Sequence, residues 1–126
     1  AYTNSTSLDI GDNSYDSAKS TIYVPHALTT FALEVDLAVR HSWRSDLEVV
    51  LTSPSGNRHV LHNRDGGSSS DINQHYKINT FNGERADGLW TLSVSDKAPG
   101  NIGTLNHWKL KIIGFAPNKA IPLYSR

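Results

Sequence analysis

The residues of this chain able to do chemistry are six histidines, a scatter of loop aspartates and many serines; cysteine is absent. Without thiols there is no disulfide, no thiolate metal site and no cysteine nucleophile. The histidines are His26, His41, His59, His62, His75 and His107. His59 and His62 share a stretch that reads as a strand, and their spacing sends them to opposite faces, so they do not chelate one ion together. The histidines read as surface or turn residues. A Ser-His-Asp set could be assembled on paper, as in almost any chain, but a triad is defined by geometry. No Gly-x-Ser-x-Gly elbow marks a nucleophile. No His-Glu-x-x-His pair occurs, and Asp65-Gly66-Gly67 lacks the Gly-Lys-Ser/Thr that would complete a phosphate loop. The chain by itself reads as non-catalytic.

Acidic residues gather at Asp9, Asp12 and Asp16, and again at Asp65 and Asp71. Calcium favours such oxygen donors, with backbone carbonyls completing its shell. Neither group has EF-hand spacing, and loop aspartates also serve as turn caps. Asp9, Asp12, Asp65 and Asp71 are therefore candidates for a structural calcium ion, while Asp46 and Asp96 read as turn-fixing residues.

Twelve basic and twelve acidic side chains give a formal net charge of zero, and no basic stripe occurs. That balance supplies no drive toward nucleic acid or an acidic membrane. No stretch approaches the ~20 apolar residues of a membrane helix. No signal peptide is seen, and the chain begins at Ala1 in a polar stretch, as a mature or excised piece of something longer would. Its 126 residues amount to one domain.

Strands must position these residues. Phe31, Leu33, Val35, Leu37 and Val39 alternate with polar or small neighbours, predicting a strand over 31–40 with one buried face. Leu47, Val49 and Leu51 repeat the pattern, Pro54-Ser55-Gly56-Asn57 is a turn, and 58–63 returns, so 46–63 predicts a hairpin. Further strands are predicted at 21–25, about 75–81, 89–96 and 104–115, separated by polar or Pro/Gly loops. Residues 1–20 read as a polar arm holding one short strand, and 116–126 as a tail without regular structure. No helical period is sustained, so the fold class is all-β, a sandwich or barrel of about eight strands. Trp90 and Trp108 fall in phase with the Leu/Val/Ile face and read as core, the alternative being a carbohydrate platform.

From His41 to Gly114 the chain resembles the P domain, or Homo B domain, that follows the catalytic domain of secreted subtilisin-like proteases. The pieces that carry the resemblance are His41-Ser42-Trp43-Arg44-Ser45-Asp46-Leu47, Leu51-Thr52-Ser53-Pro54-Ser55-Gly56, Leu61-His62-Asn63-Arg64 running into Gly66-Gly67, Phe81-Asn82-Gly83-Glu84, Gly88-Leu89-Trp90 through Asp96, and Gly103-Thr104 through Leu110. Ser45 stands where the family usually has glycine. The resemblance implies a jelly-roll-like antiparallel sandwich packed beside a subtilisin-like catalytic domain. It implies support of that domain's folding and stability, tuning of its calcium and pH behaviour, and an extracellular location. Trp43, flanked by His41 and Arg44 in a loop, is the first candidate for contact with another domain or a protein substrate. Two other readings stay open. A module that delivers a protease to insoluble protein such as collagen predicts an exposed aromatic patch, drawn from Trp43, Tyr15, Tyr23 and Tyr76. A carbohydrate-binding jelly roll predicts aromatics aligned on one outer face.

Overall fold

The computed structural model describes residues 1–12, 17–100 and 102–116. The strands are β1 (Tyr2–Asn4), β2 (Leu8–Ile10), β3 (Ala18–Val24), β4 (Thr29–His41), β5 (Leu47–Thr52), β6 (Arg58–Asn63), β7 (Ile72–Ile78), β8 (Gly88–Asp96) and β9 (Gly103–Phe115). They form two antiparallel sheets: β1-β9-β4-β7, with β2 also on β9, and β3-β8-β5-β6. This is an all-β sandwich, and its architecture follows from alternation. Leu33, Val35, Leu37 and Val39 of β4, with Leu105, Trp108 and Leu110 of β9, meet Leu47, Val49 and Leu51 of β5 and Trp90, Leu92 and Val94 of β8 in one buried cluster.

Both indoles are fully buried and hydrogen-bonded. Trp108 Nε1 donates to Ser20 Oγ at 2.9 Å, tying the first sheet to β3 of the second. Trp90 Nε1 donates to the Ala86 carbonyl at 2.9 Å and meets Phe81 edge to face, with ring centroids 5.2 Å apart. Neither is available as a carbohydrate platform.

Three expectations need correction. The N-terminal segment is not an arm with one strand: β1 and β2 both pair with β9, and β3 starts at Ala18. Backbone pairing alone holds such a polar segment, with Tyr2, Leu8 and Ile10 as its apolar points against the core. The strand expected at 75–81 lies at Ile72–Ile78, where Ile72 and Ile78 are buried and the five residues between are polar or aromatic, so periodicity is faint. Phe31 does not share the buried face of β4; a bulge between Thr30 and Ala32 turns it outward, 64% exposed. Asp16, Tyr15 and the tail beyond Ala116 lie outside the described residues.

Candidate functional site

The loops that join the two sheets at the end where β4 finishes and β9 begins hold one group of chemistry-bearing residues. β4 ends at His41 and β8 ends at Asp96, one in each sheet, and they meet in the interior. His41 is 2% exposed and Asp96 1%. His41 Nε2 lies 2.8 Å from Asp96 Oδ2. The ring's tautomer follows from its other side. The Trp43 backbone N–H donates to His41 Nδ1 at 3.0 Å, so Nδ1 is an acceptor and the ring proton sits on Nε2, donated to Asp96. The Ala98 N–H donates to Asp96 Oδ1 at 3.0 Å, and the Lys97 N–H donates to the Asp46 carbonyl at 2.7 Å. The pair thereby pins the start of both loops.

The donor atoms of His41, Asp46 and Asp96 lie within 4.8 Å of one another, the spacing a metal site would need. The hydrogen bonds argue against one. A cation on Nε2 would displace the proton while Nδ1 is held by an amide, leaving an imidazolate. A hard cation such as calcium would also gain little from nitrogen. The same occupancy bars His41 from acting as a general base, since neither ring nitrogen has a free lone pair for a hydroxyl or a water.

Trp43 and Arg44 stand beside this pair. Trp43 is 43% exposed. Residues Arg44–Asp46 form a 3-10 turn, held by the Arg44 N–H to the Ser69 carbonyl (3.0 Å), His62 Nε2 to the Arg44 carbonyl (2.8 Å) and Arg64 Nε to the Ser45 carbonyl (3.1 Å). Ser45 avoids the left-handed region, so serine fits where the family has glycine; among the described non-glycine residues Arg64 and Asp71 occupy that region instead. Gly66 appears in the sequence only as part of a short matching piece, with no sign of its packing against Arg44. At φ +112 a Cβ there would stand 2.1 Å from Arg44 Nε, so the side chain of Arg44 lies across the space the glycine leaves. His41 and His62 are buried, not surface histidines, because each gives its ring to a loop hydrogen bond.

The four calcium candidates do not converge. Asp9 and Asp71 line one recess of about 630 Å³ together with Arg40, Ser42, Ser70 and Thr104. Asp71 Oδ1 already accepts the His41 N–H at 2.9 Å, and the Arg40 cation shares the recess. Asp12 accepts the Gly100 N–H with both oxygens, at 3.0 and 3.2 Å. Asp65 sits apart, near Tyr76, whose phenol pKa is raised chiefly by burial, against Arg44, which lowers it, with the Asp65 charge adding a smaller push upward. Among the described residues these four carboxylates bring no three acidic or histidine ligand atoms within 4.8 Å of one another.

At the opposite end two of the short pieces quoted above are joined. The Glu84 carboxylate accepts Ser53 Oγ (2.9 Å), Ser55 Oγ (2.6 Å) and Asn57 Nδ2 (2.7 Å), so the turn holding Gly56 is clasped to the loop before β8. Burial pushes the Glu84 pKa up, but the three hydrogen bonds outweigh it and hold it below the usual carboxylate value. On the outer face of the first sheet His75 bridges Asp36 and Glu34, and the hydrogen bond with Asp36 leads in raising the imidazole pKa.

The profile of the proprotein convertase P-domain matches residues 30–112. The chain is 42% identical over 77 residues to leupeptin-inactivating enzyme 1 of Streptomyces exfoliatus, covering 61% of this chain and 17% of that protein. It is 35% identical over 80 residues to the transglutaminase-activating metalloprotease of Streptomyces mobaraensis, covering 63% and 10%. Its fold is similar to part of the serine protease of Aeromonas sobria, crystallised with its chaperone, with TM-score 0.75, 22% identity, and coverage of 89% of this chain and 26% of that one. The chain thus spans a small part of these proteins' length. On the match across most of its strands, the chain belongs to the proprotein convertase P-domain family.

Proposed function

We propose that this chain is a non-catalytic module of a secreted serine protease of subtilisin-like type, supporting the folding and stability of the catalytic domain beside it. The observation that carries the reading is the state of His41. The most suggestive catalytic pair in the chain, His41 and Asp96, is sealed inside and spends both ring nitrogens on structure. Catalytic chemistry supplied from elsewhere in a longer protein fits the small share of its relatives that the chain spans. Because one relative is named a metalloprotease, the alternative catalytic class is a metallopeptidase. A subtilisin-like Asp, His and Ser set in the sequence before Ala1 supports the serine class; a His-Glu-x-x-His helix there replaces it without altering the module's role.

A targeting role on insoluble protein has less support. Of its candidate aromatics, Trp43 lies at the His41 end, Tyr23 on the second sheet at the other end, and Tyr76 is half-buried on β7, so these three do not make one platform. The test compares the parent protease with and without residues 1–126, measuring secreted yield, heat inactivation with and without calcium, and cleavage of soluble against fibrous protein. Loss of yield or thermal lifetime is the expected result. Unchanged yield and lifetime with only fibrous cleavage reduced would replace this reading with the targeting one.

A further inference from the structure

Phe31 breaks the alternation of its own strand. Thr30 pairs with Gly114 and Ala32 with Ile113, so Phe31 is an extra residue on β4. A bulge of this kind bends a strand and re-aims a side chain. Thr30 stays buried, Leu33 is buried, and Phe31 is turned to the outer face. The partner strand is fitted to it: a Cβ on Gly114 would stand 2.3 Å from the Thr29 carbonyl oxygen, so only glycine lets β9 approach the bulged backbone. The two strands thus cooperate to expose an aromatic ring. Phe31 has apolar company, since Ile113 pairs with Ala32 beside it and the 58%-exposed Phe115 follows at the end of β9. Beyond them the face turns charged, with Glu34 opposite Lys77 and Lys111.

We propose that Phe31, Ile113 and Phe115 form the surface on which the neighbouring catalytic domain docks; this rests on the function proposed above. The occupant follows from where the chain comes in. Tyr2 pairs with Leu110, so the start of β1 lies beside the last turn-free stretch of β9. At ~3.3 Å per residue, Phe115 lies roughly 16 Å further along β9 than Leu110. The His41 end, with Trp43 and Ile102, lies at the far end of the 13-residue β9. A domain preceding β1 is thereby tethered next to the aromatic patch and remote from Trp43. Aromatic side chains give such an interface most of its energy when they fill pockets on the partner.

The test is hydroxyl-radical footprinting of the full-length parent protein, with oxidation corrected for each side chain's intrinsic reactivity. Phe31 and Phe115 are expected to react about fivefold or more slowly than Tyr23, an exposed ring on the other sheet, at every protein concentration. A double variant, Phe31→Ser with Phe115→Ser, changes only exposed rings, and near-ultraviolet circular dichroism of the buried tryptophans reports that it folds. It is expected to shorten the half-life of protease activity at elevated temperature about fivefold or more, while Tyr23→Ser leaves it unchanged. Oxidation of Phe31 and Phe115 at the rate of free surface rings overturns the proposal. So does protection that disappears on dilution, which assigns the face to a second copy, or on removal of residues 117–126, which assigns it to that segment. The two readings fail separately: a parent gene without a protease domain before Ala1 removes the proposed function, whereas an unprotected Phe31 in a genuine protease removes only the docking surface.

Discussion

His41 joins three segments with one ring and one amide. Its Nε2–H reaches Asp96 on the other sheet, its Nδ1 takes the Trp43 N–H, and its own N–H donates to Asp71. Replacing His41 with Ala would leave the buried Asp96 carboxylate with the Ala98 N–H as its remaining donor among the described residues, and would orphan the Trp43 amide. The ring is neutral, so the contact is a hydrogen bond to a charged acceptor, and removing the donor from a buried carboxylate typically costs about 1–3 kcal/mol or more. Urea unfolding of His41→Ala followed by tryptophan fluorescence is expected to show a loss in that range; a loss below about 1 kcal/mol would mean that the pair is not structural. Nothing local in the sequence announces this contact. The two residues are 55 positions apart, and each sits at a strand terminus where alternation no longer tells inside from outside. The sequence therefore reads His41 as a surface or turn residue and Asp96 as turn-fixing; the Ala98 N–H on Asp96 Oδ1 agrees with the latter, and neither reading reaches the contact between the two.

At the scale of elements, the hairpin of β5 and β6 and the loop before β8 are held by one carboxylate. Glu84 accepts from Ser53, Ser55 and Asn57, and backbone bonds from Gly83 N–H to the Thr30 carbonyl and from Thr30 N–H to the Glu84 carbonyl extend the clasp to β4. Its pKa is lowered from the usual 4.5, so its contribution to stability is complete above that pH and is lost as pH falls through the lower folded-state value. Glu84→Gln keeps the shape but sets an amide N–H₂ against donors. It is expected to cost about 1–3 kcal/mol at neutral pH and to flatten the acid limb of a stability-against-pH curve. An unchanged acid limb in the variant would show that Glu84 does not set it. The sequence displayed the turn and the loop as two separate short pieces; only the sandwich brings them together. It also displayed β4 correctly from Leu33 to Leu37, where burial alternates strictly; Ala38 and Val39 are both buried beside the second register shift with β9. It failed at Phe31 because a bulge is decided by two strands at once, and the glycine that permits it lies on β9.

At the scale of the molecule, the family match starts at residue 30, yet three strands precede it. β3 pairs with β8 along seven residues, and β1 and β2 line β9, so the first and last strands of the described residues are neighbours. These early strands bury Ile10, Ile22 and Val24 and supply the Ser20 hydroxyl to Trp108. Each buried aliphatic side chain contributes about 1.5–3 kcal/mol, so the three together approach the ~5–15 kcal/mol by which a typical domain is stable. Their loss would also uncover the faces of Trp90, Leu92 and Trp108 that now pack inward, and would leave β8 and β9 with open edges. A polypeptide of residues 30–116 is therefore expected to be unfolded or aggregated, whereas residues 1–116 should show a cooperative thermal transition with native near-ultraviolet tryptophan signals. A cooperative transition in the shorter polypeptide would mean that the region carrying the resemblance is self-sufficient and that β1 to β3 decorate it. Residues 21–24 of β3 read as a strand; β1, β2 and the start of β3 read as an arm because their composition is polar. They enter the core through a few alternate side chains and otherwise through backbone pairing, which leaves almost no periodic trace in a sequence.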